Sequence, residues 1–291
     1  MKNKEIHEGI ADLHVHTTFS DGEFTPEDVV EKALEKGLGA IAITDHDCVD
    51  GVEPAIKAAR GTGLEIVPGI EMSAAVKDIE IHVLGYYIDH KCPVLLKTLA
   101  GMRERRVVRI KEMIKRLDEK GIKIPEEKVF SAAAEGTIGR MHLARAMVSE
   151  SVAATIREVF DKFIGDGRPF HVKHERLEYD DAIKIIRKAG GVPVLAHPGN
   201  MGKDEYIPLY VKAGLKGIEV YHSEHRAATT RKYAVIAEEH GLIMTGGSDC
   251  HGVSKWGGKK KGEALMGRVR VENDVLISLR AVSAEIRGHK E

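Results

Sequence analysis

Histidine and acidic side chains recur beside the predicted strands of this 291-residue chain, which contains 15 histidines. His14 and His16 stand two residues apart at the end of an apolar run, and the two-residue period of a strand places both on one face. Two imidazoles on one face can chelate a single divalent ion. Further candidate ligands occur along the rest of the chain: Asp21, His46, Glu71, His82, His197, Asp249 and His251.

These residues fall at or near the carboxyl ends of predicted strands, which is where β/α barrels assemble their sites. Each one alone is more often a solvated or core side chain, but their shared placement predicts a metal site. Glu71 can bridge two ions because each of its carboxylate oxygens can bind one. Mixed imidazole and carboxylate ligands suit Zn, Mn or Fe, and the absence of closely spaced cysteine pairs argues against a closed structural zinc site.

Short apolar runs alternate with helical patterns along most of the chain. Thr25, Pro26 and the acids after them predict the start of a helix that runs through Glu35. Strands that alternate with helices imply parallel pairing and right-handed crossovers, and about seven strands favour a barrel over an open sheet. The predicted strands cover 10–15, 40–44, 64–68, 79–87, 192–196, 217–221 and 242–246, and further helices are predicted at 50–60, 179–189, 204–213 and 224–240.

One stretch interrupts this alternation. A single long, highly charged amphipathic helix is predicted from Lys91 to about Lys120, and helical patterns continue to about Gly165. We therefore expect residues 91–167 to form a helical insertion, and residues 1–90 with 168–291 to form the barrel.

The order of several motifs resembles that of the PHP family, the polymerase and histidinol phosphatase domains. The resemblance is strongest to the stand-alone branch similar to nucleoside 3′,5′-bisphosphate phosphatases and 5′-to-3′ exoribonucleases. It implies a distorted (β/α)7, TIM-like barrel whose helical insertion acts as a substrate cap. The motifs, in chain order, are DLHVHTTFSDG, AITDHD, GIEMSA, IHVLGY, GRMHLAR, LAHPG, GIEVYHSEH and GSDCHG.

The resemblance also implies how two or three divalent ions, Mn, Fe or Zn, would be shared among the candidate ligands. One ion would be held by His14, His16, Glu71 and Asp249. A second would be held by Glu71, His82 and His197, and a third by Asp21, His46 and His251.

Other residues are candidates for catalysis or substrate binding. Asp45 lies beside His46 and is a candidate for orienting the catalytic groups, and His222 is a candidate proton donor and substrate contact. In the GRMHLAR motif, Arg140 could clamp and neutralise a phosphate, since a guanidinium matches phosphate geometry bidentately. The remaining predicted substrate contacts are His142, Arg145, Lys173 and His174.

The predicted function is hydrolysis of a nucleotide phosphomonoester by a metal-activated hydroxide, with the 3′-phosphate of a nucleoside 3′,5′-bisphosphate as the first choice. Two alternatives stay open: a 5′-to-3′ exonuclease on short oligonucleotides, and an accessory domain that binds metal without turnover. The sequence has no nucleophile elbow of the GxSxG type, no phosphate-binding P-loop, and no Cys-x5-Arg loop after Cys250.

Composition narrows the class of protein. The formal net charge is -1, so the overall charge of the protein does not indicate binding to nucleic acids or membranes. Three cysteines without a short-spaced framework favour a reducing compartment, so we expect a cytoplasmic protein. No signal peptide or membrane-spanning run is expected, and no obligate protein partner is evident.

Overall fold

A computed structural model of the chain describes residues 9–77, 79–133, 136–173, 175–253 and 265–288. It is a mixed α/β fold built on a barrel-like sheet. In chain order the strands are β1 (Ile10–Val15), β2 (Ala40–Ile43), β3 (Glu65–Val76), β4 (Ile79–Tyr86), β5 (Leu177–Glu178), β6 (Val192–Leu195), β7 (Gly217–His222), β8 (Ile243–Gly247) and β9 (Val271–Glu272).

The helices lie between and after these strands. In chain order they are α1 (Pro26–Glu35), α2 (Val52–Ala58), α3 (Pro93–Asp118), α4 (Glu126–Ser131), α5 (Arg140–Ser149), α6 (Ile156–Val159), α7 (Tyr179–Lys188), α8 (Pro198–Met201), α9 (Ile207–Ala213), α10 (Ala227–His240) and α11 (Asn273–Gly288). A π-helical turn, Phe160–Ile164, extends α6, and a 3₁₀ turn, Asp204–Tyr206, precedes α9.

The strands are arranged in the order β8-β7-β6-β4-β3-β2-β1-β9. Most neighbours pair in parallel, but the expectation that all of the predicted strands do so is wrong. The pairings of β3 with β4 and of β4 with β6 are antiparallel. β3 is also 12 residues long, so Glu71 lies inside this strand and not three residues past its end. β3 ends at Val76 and β4 begins at Ile79, and a connection this short can close a hairpin but cannot make a parallel crossover.

The sheet curves until its two ends meet. Val15 pairs in parallel with Cys250, and the amide N–H groups of His16 and Cys250 donate to the carbonyls of Cys250 and His14. Gly247 permits this approach, because a Cβ atom there would stand 2.3 Å from the Cβ of His14. The ends of β1 and β8 are therefore brought together at the rim that carries the predicted ligands.

Among the described residues, buried apolar side chains form three clusters, two that include strand residues of the sheet and one in the helical part of the chain. One includes Ile41, Ile43 and Ile70 of the barrel strands together with residues of the surrounding helices. The segment at 93–164, which we call the helical segment, carries a separate cluster that includes Ile110, Leu143 and Met147. In the part of the chain that the structure describes, no helix is both long and apolar enough to cross a membrane.

Candidate metal centre

Glu71 is the centre of the predicted ligand cluster. It is fully buried, and β3 places it between imidazoles that come from several other elements. Its Oε1 lies 2.8 Å from Nδ1 of His82 and 2.8 Å from Nε2 of His197. Its Oε2 lies 3.1 Å from Nε2 of His14, and also 3.1 Å from Nδ1 of His46. Nε2 of His16 lies 3.2 Å from the same Oε2, so one carboxylate contacts five histidines from separate parts of the chain.

Asp249 and Asp21 complete the cluster on either side of His16. Nε2 of His16 lies 3.2 Å from Oδ1 of Asp249. Nε2 of His251 lies 3.2 Å from Oδ1 of Asp21, and the rings of His16 and His251 stack with centroids 4.0 Å apart. All nine predicted metal ligands thus meet at one rim of the barrel.

The ligand atoms form three overlapping groups, in each of which all atoms lie within 4.8 Å of one another. The expected first group is reproduced in full, and His16 joins the expected third group. In the expected second group His46 takes the place of His197, although His197 keeps its contacts to Glu71 and His82. The three groups are His14, His16, Glu71 and Asp249; His16, Asp21, His46 and His251; and His46, Glu71 and His82.

Three buried polar atoms of this cluster test whether the residues suit a cation. Nε2 of His16, Oδ1 of Asp21 and Nδ1 of His46 are inaccessible to solvent. Each lies 3.1–3.2 Å from a neighbouring carboxylate or imidazole atom, but none makes a well-aligned hydrogen bond among the described residues. Buried polar atoms are nearly always satisfied, and an ion is one way to satisfy them. Because imidazole and carboxylate are also the donors that Zn, Mn and Fe accept, the residues fit divalent metal ions.

Burial and neighbouring charges move the pKa values of the candidate ligands in both directions. Burial alone would raise the pKa of Glu71, but the surrounding His46 and His82 hold it well below its usual range. Burial also lowers the pKa of His46 well below its ordinary value, which leaves a neutral imidazole. Metal ligands must be deprotonated, so Glu71 and His46 are already in the binding form. Against the effect of burial, the neighbouring carboxylates raise the pKa of His14 well above its ordinary value, of His16 to about 9 and of His82 to about 10, so these three would release a proton on binding an ion.

Two candidate ligands have uncommon backbone conformations. His197 has φ 26° and Asp249 has φ 54°, values in the left-handed region that non-glycine residues seldom adopt. Such residues persist only where the surrounding structure fixes them, and they concentrate at functional sites. The backbone of the rim is therefore shaped to present these two side chains.

Glu219 contacts two candidate ligands, His14 and His197. The sequence interpretation did not include it among the site residues. It is fully buried on β7, and its Oε1 lies 2.9 Å from Nδ1 of His14. Its Oε2 accepts a hydrogen bond of 2.8 Å from the backbone N–H of His197. A carboxylate on the second nitrogen of a ligating histidine fixes the tautomer and the ring orientation.

Asp45 was predicted to orient catalytic groups, and the structure places it behind the cluster. It is fully buried, and its carboxylate accepts hydrogen bonds from the backbone and hydroxyl of Thr17 and from the hydroxyl of Ser20. The Ser20 hydroxyl oxygen also lies 3.4 Å from Nδ1 of His16. Asp45 therefore holds the loop that leads to Asp21, and its part in catalysis stays a prediction.

A cavity of about 390 Å³ opens over the cluster of candidate ligands. Glu71, His82, His197 and Asp249 lie in its wall on the barrel side. From the helical segment its wall receives Arg140, Met141 and Phe160. The guanidinium of Arg140 donates to Asp166 at 2.6 Å and to Glu80 at 3.2 Å. Of the three GRMHLAR residues predicted to bind substrate, Arg140 is the one that lines this cavity.

The other two substrate candidates of that motif have structural partners. His142 is buried, and its Nδ1 accepts a hydrogen bond from the backbone N–H of Gly139 at the start of α5. Arg145 donates to the backbone carbonyl of Asp21 at 2.8 Å. Neither side chain lines the cavity. His142 instead contacts the start of α5, and Arg145 contacts the loop at Asp21.

The remaining predicted substrate residues lie at different distances from the cluster. His222 is buried beside it, with Nε2 3.4 Å from Oδ2 of Asp249 and Nδ1 accepting from the N–H of Glu224. Lys173 is exposed and is not in the cavity wall. His174 lies outside the described residues. The substrate roles of all three stay predictions.

Comparison with known proteins gives this geometry a family. The model described as the PHP domain matches residues 12–168. The 3′,5′-nucleoside bisphosphate phosphatase of Chromobacterium violaceum is 34% identical over 256 residues, which cover 84% of this chain and 88% of that protein. The 5′-3′ exoribonuclease Rnm of Escherichia coli is 33% identical over 254 residues, 85% of this chain and 87% of the relative.

A solved structure from Bifidobacterium adolescentis, assigned as a metal-dependent phosphoesterase, is also similar. Its TM-score is 0.85 at 30% identity, covering 96% of this chain and 98% of that chain. The chain therefore belongs to the PHP domain family, and the expected TIM-like PHP barrel is confirmed. It is a hydrolase of the phosphoesterase class, and the alternative of an accessory domain without turnover is not supported.

Proposed function

We propose that this phosphoesterase removes the 3′-phosphate from nucleoside 3′,5′-bisphosphates. The observation that carries the proposal is the convergence of the ligand cluster and Arg140 on a single cavity of about 390 Å³. Pockets of roughly 300–1,000 Å³ typically bind one small ligand, so a mononucleotide suits this volume. The similarity to the bisphosphate phosphatase of Chromobacterium violaceum supports the same substrate.

The nine rim residues would hold two or three divalent ions, with Mn, Fe and Zn as the candidates. When bound, such ions supply a water whose pKa is lowered towards neutrality, and they neutralise charge on the phosphate oxygens. Glu71 would orient five imidazoles at once, and Glu219 would keep Nδ1 of His14 engaged so that Nε2 faces the cluster.

The side chains of the cavity wall would bind the substrate and manage charge. Arg140 can donate two N–H groups to phosphate oxygens, a geometry that stabilises the charge spread of a phosphoryl transition state. His222, close to Asp249, is our candidate for protonating the leaving oxygen. The helical segment would act as the substrate cap, because it contributes the apolar Met141 and Phe160 to the same wall and excludes water there.

A second candidate is 5′-to-3′ hydrolysis of short oligonucleotides. The similarity to the exoribonuclease Rnm favours it, and the same metal chemistry would cleave a phosphodiester. The products distinguish the two activities, since only the first releases inorganic phosphate from a mononucleotide.

Phosphate release from adenosine 3′,5′-bisphosphate in the presence of Mn tests the proposal. The expected products are phosphate and adenosine 5′-monophosphate, and activity should vanish in Asp249→Asn. Glu238→Gln, an exposed position on α10, serves as the matched control and should stay fully active. Production of adenosine 3′-monophosphate, or activity that survives the Asp249 change, would exclude the proposed reaction or site.

A further inference from the structure

The loop between β1 and α1 carries Asp21, a candidate ligand that belongs to one of the three ligand groups only. The outer group, as we call it, consists of His16, Asp21, His46 and His251. The loop is a tight turn, in which the N–H groups of Ser20 and Gly22 both donate to the carbonyl of Thr17 at 3.0 Å. Its far end is joined to the rim, because the N–H of Glu23 donates to the carbonyl of His251 at 2.9 Å. The position of Asp21 therefore depends on the contacts of this loop.

The helical segment contacts the loop through its backbone just before α5. The N–H of Thr137 donates to the carbonyl of Phe19 at 2.8 Å. A Cβ atom on the neighbouring Gly136 would stand 2.1 Å from the same carbonyl oxygen, a distance at which something would have to shift. The glycine therefore allows the two main chains to lie side by side, two residues before Asp21.

Side chains of α5 contact the loop around Asp21 itself. The guanidinium of Arg145 donates to the carbonyl of Asp21 at 2.8 Å, and it lies 3.8 Å from the carboxylate of Glu23. The first contact is the stronger one, because it is a short hydrogen bond from a charged donor. His142, which is buried, is close to the backbone of Ser20. The loop is thus held on one side by the helical segment.

The same segment contacts the chain next to His46, on the other side of the outer group. The hydroxyl of Thr137 donates to the carbonyl of Asp47 at 3.3 Å, and Nε of Arg106 donates to the buried carboxylate of Asp47 at 2.8 Å. Asp47 has φ 48°, a left-handed conformation that depends on its surroundings. Thr137 therefore links two sides of the outer group, since its N–H contacts the Asp21 loop and its hydroxyl contacts the residue after His46.

The group of His14, His16, Glu71 and Asp249 is supported from the barrel instead. His14 lies on β1 and Glu71 on β3, and both strands pair with β2 between them. Glu219, whose carboxylate contacts His14, lies on β7. The supports of this group are strands of the barrel, whereas Asp21 of the outer group is held in part by the helical segment.

From this difference we infer that the helical segment is a positioning element of the metal centre, in which Arg145 and Thr137 place Asp21 so that the outer group binds its ion. The segment controls the occupancy of one ion through residues that are not among the ligands of that ion. The inference rests on the assignment of ions under the proposed function, but not on the choice of substrate. It differs from the role of a substrate cap, because it operates before any substrate binds.

Titration of metal-free protein with Mn tests the inference without turnover. Calorimetry, with elemental analysis of the saturated protein, should show that the wild type binds one ion more than Asp21→Ala does. Arg145→Ala should weaken the binding of that ion about 10–100-fold, the usual cost of losing a partner behind a ligand, and leave the other ions within about twofold. Arg157→Ala, at an exposed arginine of α6 in the same segment, should bind every ion as the wild type does.

Thr137 gives a finer test, because two substitutions separate its shape from its hydroxyl. Thr137→Val should weaken the same ion roughly 2- to 10-fold, the range expected for one neutral hydrogen bond, and Thr137→Ser should retain the wild-type affinity. Leu143→Ala is the control for stability alone. It opens a cavity in the apolar cluster but leaves Arg145 and Thr137 in place, so its folded fraction should bind every ion normally.

A double-mutant cycle identifies the ion that is affected. If Arg145 acts through Asp21, adding Arg145→Ala to Asp21→Ala changes ion binding no further. Additive losses, equal weakening of all ions, or Arg145→Ala and Thr137→Val proteins that bind ions normally would each overturn the inference. So would an Asp21→Ala protein that binds as many ions as the wild type. A wild type that releases no phosphate from adenosine 3′,5′-bisphosphate, while Arg145→Ala weakens one ion selectively, would refute the proposed reaction but not this inference.

Discussion

The barrel rim and the helical segment differ in how many polar side chains they bury. At the rim, Asp12, His14, Asp45, Glu71 and Glu219 are all completely buried. In the helical segment, the cluster around Leu143 and Met147 is apolar, and charged pairs such as Glu112 with Arg116 lie at its surface. Burying polar groups costs free energy unless each one is satisfied, so the rim is shaped for chemistry and the segment for packing.

The exceptions within the helical segment sharpen this contrast. Among its described residues, the buried polar or charged side chains are Arg109, Thr137 and His142. Arg109 and Thr137 line a cavity of about 120 Å³ that the segment shares with the rim, and His142 is close to the backbone of Ser20 beside the Asp21 loop. The segment therefore departs from an ordinary core only on the face that it turns towards the rim.

The largest effect is expected where the rim concentrates its contacts. Glu71→Gln keeps the shape of the side chain but removes the charge that contacts five histidines. Loss of partners behind a ligand typically costs 10–100-fold in metal affinity or activity, so loss of this central ligand should cost more than about 100-fold. Elemental analysis of bound metal and phosphate release measure the two effects.

A glutamate of the helical segment provides the comparison for that change. Glu126→Gln alters an exposed carboxylate that pairs with Lys111, and it should leave both metal content and rate unchanged. A Glu71→Gln protein that retains its full complement of metal would show that the rim histidines do not depend on this carboxylate.

The next effect concerns packing in the helical segment. Leu143 is completely buried in its apolar cluster, and Leu143→Ala should lower the free energy of unfolding by about 2–5 kcal/mol. Urea denaturation measures this change. Metal content of the folded fraction should not change, because the rim ligands lie on other elements. Loss of metal without loss of stability would contradict the separation of the two regions.

A smaller effect is expected for the residue that supports two ligands from below. Glu219→Gln should weaken metal affinity about 10–100-fold, because Nδ1 of His14 loses its charged partner. A competition titration with a chelating dye measures the affinity, and ¹⁵N NMR of the histidines reports the tautomer of His14. Glu238→Gln is the exposed control. A fall in stability with unchanged metal affinity and an unchanged His14 tautomer would show that Glu219 serves only the fold.

Local signals predicted most of the elements from the sequence. The apolar runs at β2 and β6 and the start of α1 appear where they were expected. The antiparallel hairpin was missed because alternation of apolar residues does not encode strand direction. Helix α11 was not predicted at all, although Asn273 and Asp274 followed by buried Leu276 and Leu279 are a recognisable start and period.

The candidate site was predictable only as far as residue type and strand ends allow. Most of the nine rim residues were found because they follow strand ends, whereas Glu71 and His82 lie inside β3 and β4 and were found by residue type. Glu219 was not included because its two partners are 205 and 22 positions away, and no local pattern indicates that distance. His142 and Arg145 were assigned to substrate from a motif, yet their contacts depend on where α5 packs against the Asp21 loop.

The smallest effect is expected for a helix cap, a local interaction whose contribution should not depend on the region in which the helix lies. Thr25 caps α1, accepting a hydrogen bond from the N–H of Asp28, whose side chain in turn accepts from the N–H of Thr25. Thr25→Ala should therefore lower the free energy of unfolding by about 1 kcal/mol, measured in urea. Thr98 in α3 offers the matched change, because its hydroxyl only donates back to the carbonyl of Val94 within the helix. Thr98→Ala should be neutral or slightly stabilising, since alanine has the higher helix propensity. If the two changes cost the same, the cap contributes nothing beyond composition, and the start of α1 is set by packing against the barrel.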